Sequence, residues 1–118
     1  MKYFDISEFD CSYTGENAMD PEFLERLDKL RENCGFAFRI TSGYRSTLHP
    51  EEAKKVKPGF HAAGLAADIA VVSGIERRAI INEAVRMHFP GIGVAKSFVH
   101  VDDRKLIAPE LPEVIWSY

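Results

Sequence analysis

The sequence predicts an α+β fold, a small antiparallel sheet flanked by helices. Three observations predict it: two amphipathic helical segments with clear boundaries, several short alternating segments, and a hairpin pattern near the end of the chain. The length of 118 residues suits a single domain, residues 1–118, since domains commonly hold about 100–150 residues. A chain this size buries a little under about 70% of its unfolded surface, enough for one core and no second one.

Residues 20–34 read as the first helix. Asp20 is a good N-cap, Pro21 occupies the first helical position, and Phe23, Leu24, Leu27 and Leu30 recur at helical spacing before Gly35. Residues 36–40 alternate like a strand, with Phe36, Phe38 and Ile40 on one face. Residues 43–63 are irregular, with room for a short helix over 51–56. Residues 65–72 read as a central strand in which Asp68 shares a face with Ala66 and Ala70. Ser73 and Glu76 form a capping-box pattern. The helix they open runs to about His88 and buries Ile80, Ile81, Ala84 and Val85. Residues 92–94 and 98–102 pair as a hairpin around Lys96-Ser97. In the second strand Phe98, His100 and Asp102 point one way, Val99 and Val101 the other. Trp116 reads as an aromatic that closes the core.

Composition excludes several classes. Lys and Arg number 15 against 18 Asp and Glu, a net charge of −3, which gives no general attraction to nucleic acid. No window approaches the roughly 18 apolar residues of a membrane helix, so no membrane insertion is expected. The first residues lack the basic-then-apolar pattern of a signal peptide. That predicts a chain made in a bacterial or host cytoplasm. Cys11 and Cys34 are too few for a disulfide scaffold and form no C-x-x-C pair, so two buried or half-buried thiols are expected. A monomer is expected.

The chemistry concentrates in three places. His61 stands just outside a strand that contains Asp68, and the neighbours of Asp68 are small: Ala62, Ala63, Gly64, Ala66, Ala67 and Ala70. A buried carboxylate costs several kcal/mol unless it is paired or binds metal. Asp68 is therefore either a structural carboxylate bonded to backbone N–H groups or an Arg, or a metal ligand. His100 is either a hydrogen-bonded strand histidine or a second ligand. Two neutral imidazoles and one carboxylate leave a fourth position open on Zn²⁺, the composition of a catalytic zinc site. Third, Arg45 follows a strand on a Gly turn, where it can hold a carboxylate or stabilise an oxyanion; the alternative is an ordinary surface Arg. His49 is read as structural or incidental, or as lining the pocket. His88, at a helix end, is given no chemistry.

Ser42-Gly43-Tyr44-Arg45-Ser46, then His61-x-x-Gly64-x-Ala66-x-Asp68-Ile69, then Gly91-Ile92-Gly93, then Phe98-Val99-His100-Val101-Asp102-x-Arg104 resemble one family in order and spacing. It is the zinc D-Ala-D-Ala carboxypeptidase and L-Ala-D-Glu endopeptidase family, with the hedgehog signalling domain as a distant relative. The chain resembles the small phage and prophage members in particular. The resemblance implies a hedgehog-like fold and one Zn²⁺ on His61, Asp68 and His100. It implies substrate contacts from Arg45, with Ser42 and Tyr44 beside it, and a peptide of peptidoglycan as substrate. It also suggests a phage lysis or virion enzyme that acts at the cell wall after release or delivery.

Two departures stand out. Family members usually carry a Ser close before the first His, where this chain has Gly59 and Phe60. Carboxypeptidase branches carry a Glu three residues before the last His as general base, and this chain has Ser97. Asp102 is then the expected base. It lies on the strand face of His100 at a spacing of about 6.5–7 Å, near enough to reach a zinc-bound water. The competing role for Asp102 is to orient a ligand histidine. Two other readings fit part of the pattern. The two-His-one-carboxylate set also suits an Fe(II) oxygenase, but such sites usually sit in a barrel of about eight strands. The missing Glu leaves open a zinc-stabilised module without catalysis.

Overall fold

The computed structural model describes all residues 1–118. It contains helices α1 (Pro21–Cys34), α2 (Pro50–Ala53) and α3 (Gly74–Arg86). The strands are β1 (Ile40–Ser42), β2 (Ala66–Ala70), β3 (Gly91–Val94), β4 (Phe98–Asp102) and β5 (Val114–Ser117). The strands form one sheet in the order β1-β2-β4-β3-β5, antiparallel except for the β3–β5 pair. This is the expected α+β architecture, and one sheet of five strands is not the barrel of an oxygenase.

The boundaries of α1 fall where the caps place them. The Asp20 side chain accepts from the Phe23 N–H, and Gly35 closes the helix in the left-handed conformation. Leu24, Leu27 and Leu30 pack with Ile80 and Ala84 of α3 in the same core as Ala67, Ile69, Ile92, Val99 and Val101. The core face of the sheet thus carries the odd-numbered residues of β2 and β4, covered by both long helices. The even-numbered residues, Asp68, His100 and Asp102, lie on the other face.

Several expectations are corrected. The strand expected over 36–40 pairs only from Ile40, and continues to Ser42. Residues 36–39 lie beyond the end of β2 at Ala70, so most of them find no ladder partner. The central strand is likewise shorter than 65–72, running from Ala66 to Ala70. The short helix is Pro50–Ala53 rather than 51–56, and α3 stops at Arg86. Val85 is 48% exposed, since one residue beyond Ala84 rotates it about 100° off a narrow buried stripe. The Ser73 hydroxyl caps the Glu76 N–H as expected, but the Glu76 carboxylate accepts from Val72 N–H, one residue early. A reciprocal box does form between Asp5 and Glu8, around an N-terminal 3-10 turn, Ile6–Phe9, that delivers Phe9 to the core. Both cysteines are free, Cys11 buried and Cys34 half-buried.

Candidate metal centre

The site is a row of the sheet. Ser42 pairs with Asp68, Asp68 with His100, His100 with Gly93, and Gly93 with Trp116. Residues opposite one another on neighbouring strands share a face, so this register brings together side chains far apart in sequence. The next row pairs Ala66 with Asp102 and Asp102 with Gly91. Gly91 and Gly93 leave the floor open on β3. A Cβ on Gly93 would lie 2.8 Å from the Trp116 ring, and one on Gly91 would collide with the Asp102 carboxylate.

His61, Asp68 and His100 are each 6% exposed, and one donor atom from each lies within 4.8 Å of the other two. Asp68 Oδ1 is 3.3 Å from His61 Nε2 and 3.0 Å from His100 Nδ1. The outer nitrogens determine what the inner ones can do. His61 Nδ1 donates to the Gly43 carbonyl at 2.8 Å, and His100 Nε2 to Asp102 Oδ2 at 2.7 Å. A carbonyl and a carboxylate can only accept. In the neutral imidazoles, therefore, His61 Nε2 and His100 Nδ1 present lone pairs toward a carboxylate oxygen. Lone pairs converging on a buried anion call for a cation between them. Donor spacings of 3.0 and 3.3 Å also match the edge of about 3.3 Å that zinc bonds near 2.0–2.1 Å imply in a tetrahedron.

The electrostatics agree. Burial pushes the Asp68 carboxyl up, but with a proton rather than a metal ion between it and the inner nitrogens of His100 and His61, those rings outweigh burial and hold it below the usual range. Burial disfavours a charged His100, yet Asp102 and Asp68 on either side raise its pKa. The group attracts positive charge.

Asp102 is fully buried. Besides His100, its oxygens accept from Arg104 Nε at 2.9 Å and Arg104 Nη2 at 2.8 Å. Burial raises its pKa, and the bonds from Arg104 and His100 reverse that to about 2.

A cavity of about 470 Å³ opens over the three donors, and its wall includes Arg45, Glu51, Phe98, Arg104, Trp116 and Tyr118. Asp102 is not on that wall. Arg45 is held by Ser42 Oγ on Nε at 3.0 Å, by Glu52 near Nη1 at 3.6 Å and by Asp68 near Nη2 at 3.5 Å. Of Ser42, Tyr44 and Arg45, only Arg45 reaches the cavity: Ser42 orients it, and Tyr44 packs against the hydrophobic core. His49 is also off the wall; its Nδ1 caps α2 by accepting from the Glu51 N–H.

Trp116 does not close the core. It is half-buried on the site face with its ring centroid 5.2 Å from that of His100. Two further residues escaped sequence reasoning. Glu52 is 3% exposed and binds Lys55, the Gly59 N–H and Arg45; in sequence it reads as a surface i,i+3 partner of Lys55. Phe60 has no spacing signal at all, and stacks on Arg104.

Fold and donors together define a metallohydrolase-type centre: two histidines and an aspartate under an open cavity. The model of the Peptidase M15 family matches residues 2–102, and the chain belongs to that family. Peptidases of this family are zinc-dependent, and His61, Asp68 and His100 form the group suited to hold the ion. No curated protein sequence matches the chain significantly. No helix is long and apolar enough to cross a membrane.

Proposed function

We propose that residues 1–118 form a single zinc peptidase domain that hydrolyses one bond in peptidoglycan stem peptides. The bond is of the D-Ala-D-Ala or L-Ala-D-Glu type, and the setting is phage or prophage cell-wall lysis, with a monomer delivered to the wall by release or on a particle. The observation that carries this reading is the convergence of the His61 Nε2 and His100 Nδ1 lone pairs on Asp68 Oδ1, beneath a cavity that Arg45 overlooks.

Zinc held there supplies Lewis-acid polarisation of a carbonyl and acidification of water. The chain's own residues do the rest. Arg45, braced by Ser42 and Glu52, offers its guanidinium to the oxygen on which charge develops. Asp102 holds the Nε2–H of His100 and so fixes the tautomer and ring orientation; this positioning role suits a fully buried, doubly engaged carboxylate better than the base role expected from its strand face. Glu51, the wall carboxylate outside the donor group, is the proton acceptor, and it must exchange its ion pair with Lys54, at 3.0 Å, to act.

The test is digestion of purified peptidoglycan by the zinc-loaded protein, with fragments identified by mass spectrometry. Cleavage at one stem-peptide bond, abolished by a chelator and about 10²–10⁴-fold slower in Glu51→Gln, is the expected result. A second reading, the zinc-stabilised binding module, is favoured by Ser97 in place of the family's Glu and by the full engagement of Asp102. Intact peptidoglycan together with a chelator-dependent loss of melting temperature would select it.

A further inference from the structure

Arg45 and Arg104 stand at opposite ends of one line of charges. Arg45 Nη2 lies 3.5 Å from Asp68 Oδ2, and Asp68 Oδ1 lies 3.0 Å from His100 Nδ1. His100 Nε2 lies 2.7 Å from Asp102, which Arg104 grips with Nε and Nη2. The two guanidiniums are not equally occupied. Each nitrogen of Arg45 faces an oxygen of the chain at 3.0–3.6 Å. Arg104 uses only its Nε–Nη2 edge; Nη1 has no partner and the side chain lines the cavity, 15% exposed.

Arg104 is also rigid. Its guanidinium carbon lies 4.6 Å from the centre of the Phe60 ring and 5.1 Å from that of Trp116. A guanidinium packed against two rings and tied on one edge presents the rest of its fork in a set direction, already ordered before an anion arrives. Holding Asp102 requires one edge and no open end.

We propose that Arg104 reads a carboxylate of the substrate, at the end of the cavity opposite Arg45. The preferred peptide then carries a free backbone carboxylate beside the bond presented to the metal donors. This deepens the peptidase reading and rests on it for the identity of the peptide. Two carboxylates of a stem peptide have this chemistry: the C-terminal one and the α-carboxylate of γ-linked D-Glu.

Trp116 is the only tryptophan and touches Arg104, so its fluorescence reports binding independently of turnover. The zinc-loaded chain is mixed, in stopped flow before turnover, with L-Ala-γ-D-Glu-L-Lys-D-Ala-D-Ala, with its C-terminal amide, and with its D-isoglutamine form. One of the two amides binds at least about tenfold more weakly than the free acid, and identifies the carboxylate that is read. Arg104→Gln abolishes that preference, Arg104→Lys keeps part of it, and zinc content stays at the parent's level in both. Equal binding of all three peptides, or binding of none, overturns the proposal. So does an equal loss on all three in Arg104→Gln with loss of zinc, which would make Arg104 a support for Asp102 alone. If Arg104→Gln does not fold, the parent's acid-to-amide ratio and Arg104→Lys decide. Acid-selective binding without cleavage upholds Arg104 and removes the peptidase reading; cleavage without selectivity does the reverse.

Discussion

The two faces of β2 and β4 are made from alternate residues of the same ten positions and follow opposite rules. On one face Ala67, Ile69, Val99 and Val101 are fully buried against α1 and α3. On the other, Asp68, His100 and Asp102 are buried almost as deeply, with Asp102 held by His100 Nε2 and Arg104 and Asp68 Oδ1 facing the inner nitrogens of His61 and His100. The core face tolerates no polarity; the site face is polarity held in place by that core. Burial alone therefore does not separate structural from functional residues here. What separates them is whether the partners leave lone pairs aimed at a common point.

Breaking the core face should cost folding and leave metal chemistry intact. Ile69→Ala removes a fully buried side chain and should destabilise the protein by about 2–5 kcal/mol. Zinc affinity per folded molecule should match the parent. Chemical denaturation and a zinc titration on one sample check both.

Breaking the site face should do the opposite. Gly91→Ala drives a Cβ into the Asp102 carboxylate and should push it off His100. Loss of such a supporting contact typically costs about 10–100-fold in metal affinity or activity, and competition with a chromophoric chelator measures it.

The charges give a further contrast, read in the zinc-free protein. The carboxyl of Asp102 is depressed from 3.8 to about 2. A depressed acid contributes stability that is complete above its unfolded pKa and lost as pH falls through the folded one. Between about pH 4 and pH 2 the parent should lose about 2 kcal/mol that Asp102→Asn does not lose. Equal slopes in the two proteins would remove the Asp102–His100–Arg104 network as the source. The smallest effect belongs to Val85, which looks like core in sequence. Because it is 48% exposed, Val85→Ser should shift stability by no more than about 0.5 kcal/mol.

Local rules made much of this molecule legible. Asp20-Pro21 and Gly35 bound α1 to the residue, because caps and proline act through neighbouring backbone groups. Alternation put His100 and Asp102 on one face and Val99 and Val101 on the other. His61, Asp68 and His100 were legible as a group because buried charge needs a partner. Register was not. Nothing near Gly93 announces that it opposes His100 on one side and Trp116 on the other. The parallel β3–β5 pairing joins segments with no turn between them to mark it, which is why Trp116 reads as core in the sequence. The buried Glu52 behind Arg45 looks identical in sequence to a solvated helix carboxylate. Asp102 shows the limit most clearly: strand geometry places it beside His100, but only the structure shows that His100 Nε2 and Arg104 occupy its oxygens and that it is not on the cavity wall.

The most direct measurement is zinc content. Protein purified without added metal should hold one zinc per chain by elemental analysis, and Asp68→Ala and His100→Ala, checked for folding by circular dichroism, should hold essentially none. Folded variants that retain the parent's zinc would contradict the assignment of the metal to His61, Asp68 and His100.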